Sequence, residues 1–314
     1  MLFSQSAAAY LTFVVALVGL IINITVAFAV RKCQHFGYAF GTLCFSQTLA
    51  NVGNCCVFLF LTSGITIIEP SWHSTYIGRR SGQLLIFFWE ASIFTHLFLA
   101  INRSIAVNFP VNYSKIFTKR VRNVIIVVIW SIATAQASPY FLPFCSMQFD
   151  PESFTYAYAP SFCGHLTERY GDLYVSLSVV SLIGILDVTS FFRLAAFEET
   201  FHRQKDAQRD ENVLPGEPTV LRTARRADSF QACTQSCLLM LCECSFFYLS
   251  TLHDNAWYAF ATTTFAWNLT HCLDGIIVIS FSEEIRRLIL HKREVSKVKG
   301  FVYSMSHMPP RTKQ

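Results

Sequence analysis

Ile101-Asn102-Arg103-Ser104, followed by Val107, Pro110 and Tyr113, marks the point where a long apolar run gives way to a basic loop holding Lys115, Lys119, Arg120 and Arg122. An arginine belongs at such a border, because its stem lies along apolar surroundings while its guanidinium reaches water and headgroups. By position alone, Arg103 is a border cation of the kind that accumulates on the inner side of a membrane. The residues from Asn102 onward are spaced Asn-Arg-x-x-x-Val-x-x-Pro-x-x-Tyr.

Composition supports the membrane. Of 314 residues, 53% are hydrophobic, 15% aromatic and only 14% charged, against roughly 25% charged in a soluble domain. The mean hydropathy is +0.39. The net charge of +5 does not imply nucleic acid: the basic residues fall in short loops and form no face able to track phosphates. Most of the 11 cysteines lie inside apolar runs and read as small packing residues.

Seven apolar stretches, each near the roughly 20 residues that a bilayer crossing needs, predict an all-α membrane protein. Its seven-transmembrane helix bundle is expected over about 7–30, 38–61, 81–108, 121–144, 171–195, 229–252 and 257–281. Lipid cannot satisfy open backbone groups, so each crossing must be a helix. A short amphipathic surface helix is expected over 282–295: Ser282 can cap it, Glu283 and Glu284 suit its positive end, and Ile285, Leu288 and Ile289 form an apolar stripe. One membrane domain thus spans 1–299, with 300–314 a flexible cytoplasmic tail. A cleaved signal peptide is not expected, since the first run is long and lacks a basic leader. With the C-terminus inside and the N-terminus outside, 22 of the 25 lysines and arginines lie on the inner side.

Outside, only the loop 145–171 has bulk. Cys145 and Cys163 lie in it on the oxidising side and are expected to pair, the alternative being two free thiols. No cysteine occurs between Cys56 and Cys145, so a staple would stay within the loop.

Inside the membrane, Glu90, Asp187, Glu243, Asp274, His96 and His271 each cost about 2.5–3.5 kcal/mol on insertion scales and need a reason. The plain reason is interhelical hydrogen bonding that fixes helix rotation. Asn23, Asn51, Ser92, His271 and Asp274 are expected to form one polar cluster. Phe87, Phe88, Glu90, Trp257 and Trp267 are the candidate ligand-binding residues. Glu90, beside Phe87, Phe88 and Trp89, would bind a cation or a hydroxyl if it faces a cavity.

The border motif resembles the D-R-Y-x-x-V-x-x-P-x-x-Y pattern of rhodopsin-like G-protein-coupled receptors, with Asn102 in the place of Asp. Asp274-Gly275-Ile276-Ile277-Val278 stands where such receptors carry N/D-P-x-x-Y, lacking both Pro and Tyr; Gly275 would supply a flexible joint. Further pieces resemble nematode chemoreceptors of serpentine receptor class X over nearly the whole chain. They are Asn102-Arg103, Phe109-Pro110 with Tyr113, Ile116-Phe117-Thr118, Asp187-Val188-Thr189-Ser190, Phe230-Gln231-Ala232-Cys233 with Gln235, His271-x-Leu273-Asp274-Gly275, Phe281-Ser282-Glu283-Glu284-Ile285-Arg286, and the Cys145 and Cys163 pair.

The resemblance implies a chemosensory receptor in the plasma membrane, the sensory cilium included. It would bind a small odorant or pheromone-like molecule between the outer halves of helices three, five, six and seven, and activate a heterotrimeric G protein. Asn102, Arg103, Pro110, Tyr113 and Asp274 are the implied coupling and activation residues. With Asn102 in place of an acid, Arg103 is expected to lack a neighbouring charge, giving a weakly restrained resting state and high basal signalling.

Other classes fit less well. A zinc hydrolase would need clustered His, Asp and Glu ligands, and no H-E-x-x-H occurs. A serine hydrolase would need a Ser, a base and an oxyanion hole, and no such set stands out. A channel or transporter would often leave repeats or broken helices. No catalytic residue, metal site or cofactor is expected.

Overall fold

The computed structural model describes residues 3–32, 38–207 and 219–289, without the side chains of residues 38, 198–207 and 219–227. The part of the expected surface helix beyond 289 and the expected tail lie outside the described residues.

Among the described residues, six helical runs are long and apolar enough to cross a membrane: Gln5–Lys32, Ala39–Ile68, Gly78–Asn108, Lys119–Phe141, Phe162–Phe197 and Asp228–Thr251. Their regular helices are α1 (Gln5–Lys32), α2 (Tyr38–Cys56), α3 (Ser81–Asn108), α4 (Lys119–Ala137), α5 (Tyr174–Ala207) and α6 (Thr219–Phe247). A last run begins at Ala256–Phe260, where Asn255 Oδ1 accepts from the Trp257 and Tyr258 amides at 2.8 and 3.3 Å. A π turn, Ala261–Phe265, joins it to α7 (Ala266–Phe281), and α8 (Glu283–Ile289) follows. Asn268, His271 and Asp274 sit in the middle of this run and dilute its apolar character. Ser282 Oγ accepts from the Ile285 amide at 3.3 Å and starts α8, whose Ile285 is buried against Val26, Ala29 and Val30 of α1.

The helices form a ring, α1–α2–α3–α5–α6–α7 and back to α1, with α4 outside α3. Polarity is arranged inside out. Glu90, Asn54 and Asn268 are fully buried, while Phe28, Val127 and Leu241 are about two-thirds exposed. That is the surface a protein shows to lipid, where apolar side chains cost nothing and unpaired polar groups cost several kcal/mol, on the order of 2–7. Gly275 allows α7 to approach α1 closely: a Cβ there would lie 2.8 Å from Ile22 Cγ2 and 2.9 Å from Asn23 Oδ1. Helix α7 runs unbroken through Gly275 in this arrangement.

The loop 145–171 carries regular structure. Cys145 and Cys163 form a disulfide closing a loop of 18 residues, which stabilises by roughly 3 kcal/mol in the chain-entropy model. Within it, β1 (Met147–Asp150) pairs antiparallel with β2 (Thr155–Tyr158). The helical run then starts at Phe162, not 171, because Ser161 Oγ caps it by accepting from the Gly164 amide at 2.9 Å. The hairpin covers the bundle: Met147 and Tyr156 join the main apolar core, and Tyr156 hydrogen-bonds Thr62 at 2.7 Å. At the hairpin turn Phe154 has φ 57°, a left-handed conformation costly for a bulky residue. Its ring repays that by packing 4.9 Å from Phe149 and 5.6 Å from Phe260.

His73, in the short helix Pro70–Ser74, lies under this hairpin. Its Nε2 is 2.8 Å from Thr66 Oγ1 and its ring 4.8 Å from that of Phe149. Burial lowers its pKa from 6.5 to about 4. The unfolded chain therefore takes up the proton first. Stability from neutral His73 should be complete above pH 6.5 and should fall as pH drops toward 4, by up to roughly 3 kcal/mol. Thermal unfolding of the purified chain in lipid at pH 7 and pH 4.5 should show this loss, and His73→Phe should remove most of the difference. An identical pH response in the variant would assign the effect to other groups.

Candidate functional site

Just past the C-terminal end of α3, Pro110 occupies the first turn of the helix Pro110–Ile116, where a missing amide is harmless. That helix turns Tyr113 back onto α3, so Asn102 Nδ2 donates to the Tyr113 hydroxyl at 3.0 Å. Burial raises the Tyr113 pKa, so its hydroxyl stays protonated at neutral pH. Arg103 has an acidic partner after all. Its Nη2 and Nε lie 2.8 and 3.2 Å from Asp187 Oδ1 on α5. Ser236 of α6 donates to Asp187 Oδ2 at 2.6 Å. The Asp187 side chain is 1% exposed and that of Arg103 14%. The expectation that Arg103 lacks a neighbouring charge is thus overturned: the acid comes from α5 rather than from the adjacent position, and three helices are clasped at one carboxylate.

At mid-depth the five residues of the expected polar cluster come together around Asp274. Asn51 Nδ2 donates to Asp274 Oδ2 at 2.6 Å and Gln235 Nε2 to Oδ1 at 2.7 Å. His96 Nε2 lies 3.5 Å from Oδ1. His271 Nδ1 hydrogen-bonds Asn51 Oδ1 at 2.9 Å, and Asn23 Nδ2 donates to the His271 carbonyl at 3.0 Å. Gln47 bridges, donating to Ser92 Oγ at 2.7 Å and to Asp274 at 3.4 Å. Five helices, α1, α2, α3, α6 and α7, share this network. Gln47, His96 and Gln235 were not in the expected cluster; Gln235 is neutral and near the inner end of its run, so nothing local marks it.

In the half of the bundle beside the hairpin the candidate ligand residues separate. Trp267 is central: its ring lies 5.7 Å from Phe246, 5.8 Å from Phe58, 6.0 Å from Trp89 and 6.1 Å from Tyr156. It lines a cavity of about 20 Å³ with Trp89, Asp172, Cys242, Glu243 and Phe246. Glu90 is fully buried, with no hydrogen-bond partner on either carboxyl oxygen. Phe87 and Phe88 do not join it. Their rings pack 5.5 and 6.4 Å from Trp130, and Phe88 lies on Gly53. Trp257 sits at the outer rim, 4.9 Å from Phe3 and 5.9 Å from Phe260. Phe87 and Phe88 lie on the α2 and α4 side of α3, whereas Trp89 faces Trp267 and the bundle interior. Among the described residues no group of three or more His, Cys, Asp or Glu could hold a metal ion.

Known proteins share this sequence over most of its length. The Caenorhabditis elegans protein named Serpentine receptor class X 45 is 26% identical over 298 residues, covering 90% of this chain and 81% of that one. Serpentine receptor class X-43, from the same organism, is 24% identical over 288 residues, with 89% and 85% covered. Residues 13–282 match the family described as serpentine type 7TM GPCR chemoreceptor Srx. The chain is therefore a multi-pass membrane protein belonging to the Srx family of serpentine chemoreceptors.

Proposed function

We propose that this chain sits in the plasma membrane, the sensory cilium included, with its N-terminus outside and the run 256–281 as the seventh crossing. Helix α8 lies along the inner membrane surface, its Ile285 face inward. A small odorant or pheromone-like molecule binds between the outer halves of α3, α5, α6 and α7. By binding one arrangement better than the other, it shifts a pre-existing equilibrium, and a heterotrimeric G protein reads the shift at the inner end.

The observation that carries this reading is the clasp of Arg103, Asp187 and Ser236. It ties α3, α5 and α6 together at the inner face, so a partner can insert between them only once it opens. Arg103 and Tyr113 are then the groups released toward the G protein, Asn102 and Pro110 hold Tyr113 until that moment, and Asp274 links the outer half to the inner. Epitope tags on the two termini, stained before and after permeabilisation, test the threading: only the N-terminal tag should be visible on intact cells. A G-protein activation assay with a panel of small molecules tests the coupling. Tags on one face, or a ligand-gated current that needs no G protein, would overturn the proposal in favour of a channel.

A further inference from the structure

Three carboxyls meet in the outer half of the bundle: Glu90 on α3, Asp172 just before α5, and Glu243 on α6. They are 0%, 5% and 4% exposed. The principal charges acting on them are one another's and that of Glu168, all of one sign. Asp172 is held by the Tyr158 hydroxyl and by Ser176 Oγ at 3.3 Å. Ser176 in turn accepts from Trp89 Nε1 at 3.3 Å. Glu243 Oε2, both oxygens of Glu90 and Trp267 Nε1 have no hydrogen-bond partner. Asp172 and Glu243 line the cavity of about 20 Å³, and its other walls include Trp89, Phe246 and Trp267.

Such a site discriminates by charge. Acids crowded in a medium of low dielectric repel, and an unpartnered one carries the full cost of its lost hydration. A cation between them removes both penalties. A neutral alcohol would answer one hydrogen bond and leave the crowding, while a carboxylate would add to it. Aromatic walls suit an ammonium with a hydrocarbon body, through ring contacts and cation–π attraction.

We infer that the outer cavity recognises a protonated amine, its ammonium between Asp172 and Glu243 and its apolar body against Trp89, Phe246 and Trp267. This deepens the receptor reading above and rests on it. A cavity this size holds little more than one water-sized group, so the amine enters fully only as α6 parts from α3 and α5. Preference for that opened arrangement is the differential affinity a switch requires.

The test uses the full chain purified in nanodiscs. Thermal unfolding is followed with phenethylammonium, benzyltrimethylammonium, 2-phenylethanol and phenylacetate, on wild type and on Glu243→Gln. Both cations should raise the melting temperature, the neutral and anionic probes should not, and Glu243→Gln should weaken the cations at least roughly tenfold. The substitution removes one acidic group from the cluster and keeps the side chain's shape. Should it still fail to fold, Asp172→Asn takes its place, and the contrast among probes on wild type decides by itself. Equal stabilisation by 2-phenylethanol or phenylacetate, no shift with either cation, or undiminished cation affinity in the variants would overturn the inference. Ligand-evoked G-protein activation by non-amines alone would remove the amine and leave the receptor standing; amine binding with no G-protein response would do the reverse.

Discussion

Replacing Asp187 by Ala should raise ligand-free G-protein activation strongly. The carboxylate it removes accepts two hydrogen bonds from Arg103 and one from Ser236. What remains is a largely buried guanidinium with no hydrogen-bonded acid, only the charge of Asp228 in its neighbourhood. Breaking such a pair from one side costs about 3–5 kcal/mol, and all of that cost falls on the clasped arrangement. A loss of roughly 3 kcal/mol moves a two-state equilibrium by about two orders of magnitude, enough to turn a minor active population into the major one. Ser236→Ala, which removes one hydrogen bond of about 1 kcal/mol, should give a graded rise of roughly fivefold. The measurement is basal signalling at matched surface expression. If Asp187→Ala signals no more than wild type, the clasp does not hold the resting state. Asn102→Asp should change little by comparison, because Arg103 already has its acid and Asn102 is engaged with Tyr113.

The second large effect concerns Asp274. Its carboxylate takes donors from α2 and α6 and lies beside His96 of α3. Asp274→Ala would leave the Gln235 amide without its acceptor and the Asn51 amide with only Asn23 Oδ1 at 3.3 Å, an orphaned group costing about 1–3 kcal/mol. The variant should melt well below wild type in lipid and reach the cell surface poorly. Asp274→Asn keeps the shape and one acceptor oxygen, so only one of the two amides loses its partner. It should fall between wild type and Asp274→Ala. A wild-type melting temperature for Asp274→Ala would show that the network is not what joins these helices.

How much of this could be read from the chain alone differs from layer to layer. Charged and amide side chains within apolar runs stand out, because each must find a partner in the bilayer. Asn23, Asn51, Ser92, His271 and Asp274 were legible as a group for that reason. The partner of Arg103 was not. Asp187 lies 84 residues away, and only the rotation of α5 in the folded bundle turns it inward. The neighbouring Asn102 drew the reading toward a missing charge. The aromatic residues misled in a related way. The helix carrying Phe87, Phe88, Trp89 and Glu90 is apolar on every side, so no amphipathic stripe shows which of them faces the cavity. Adjacency in sequence then stood in for adjacency in space. Asp172 was obscured because the crossing was expected to start at 171, whereas Ser161 starts the helix ten residues earlier.

Helix α5 is fastened differently from its neighbours. Its outer end is held through Asp172 and Ser176, and its inner end through Asp187. Between Ser176 and Asp187 its described inward contacts are apolar, through Val180 and Ile183, and Gly184 faces open space. The Asp274 network passes it by. The helix is thus a strut pinned at both ends with a greased waist. Release of the pin at Asp187 would let it swing about the one at Asp172, so that a small change beside Asp172 becomes a larger displacement at the far tip.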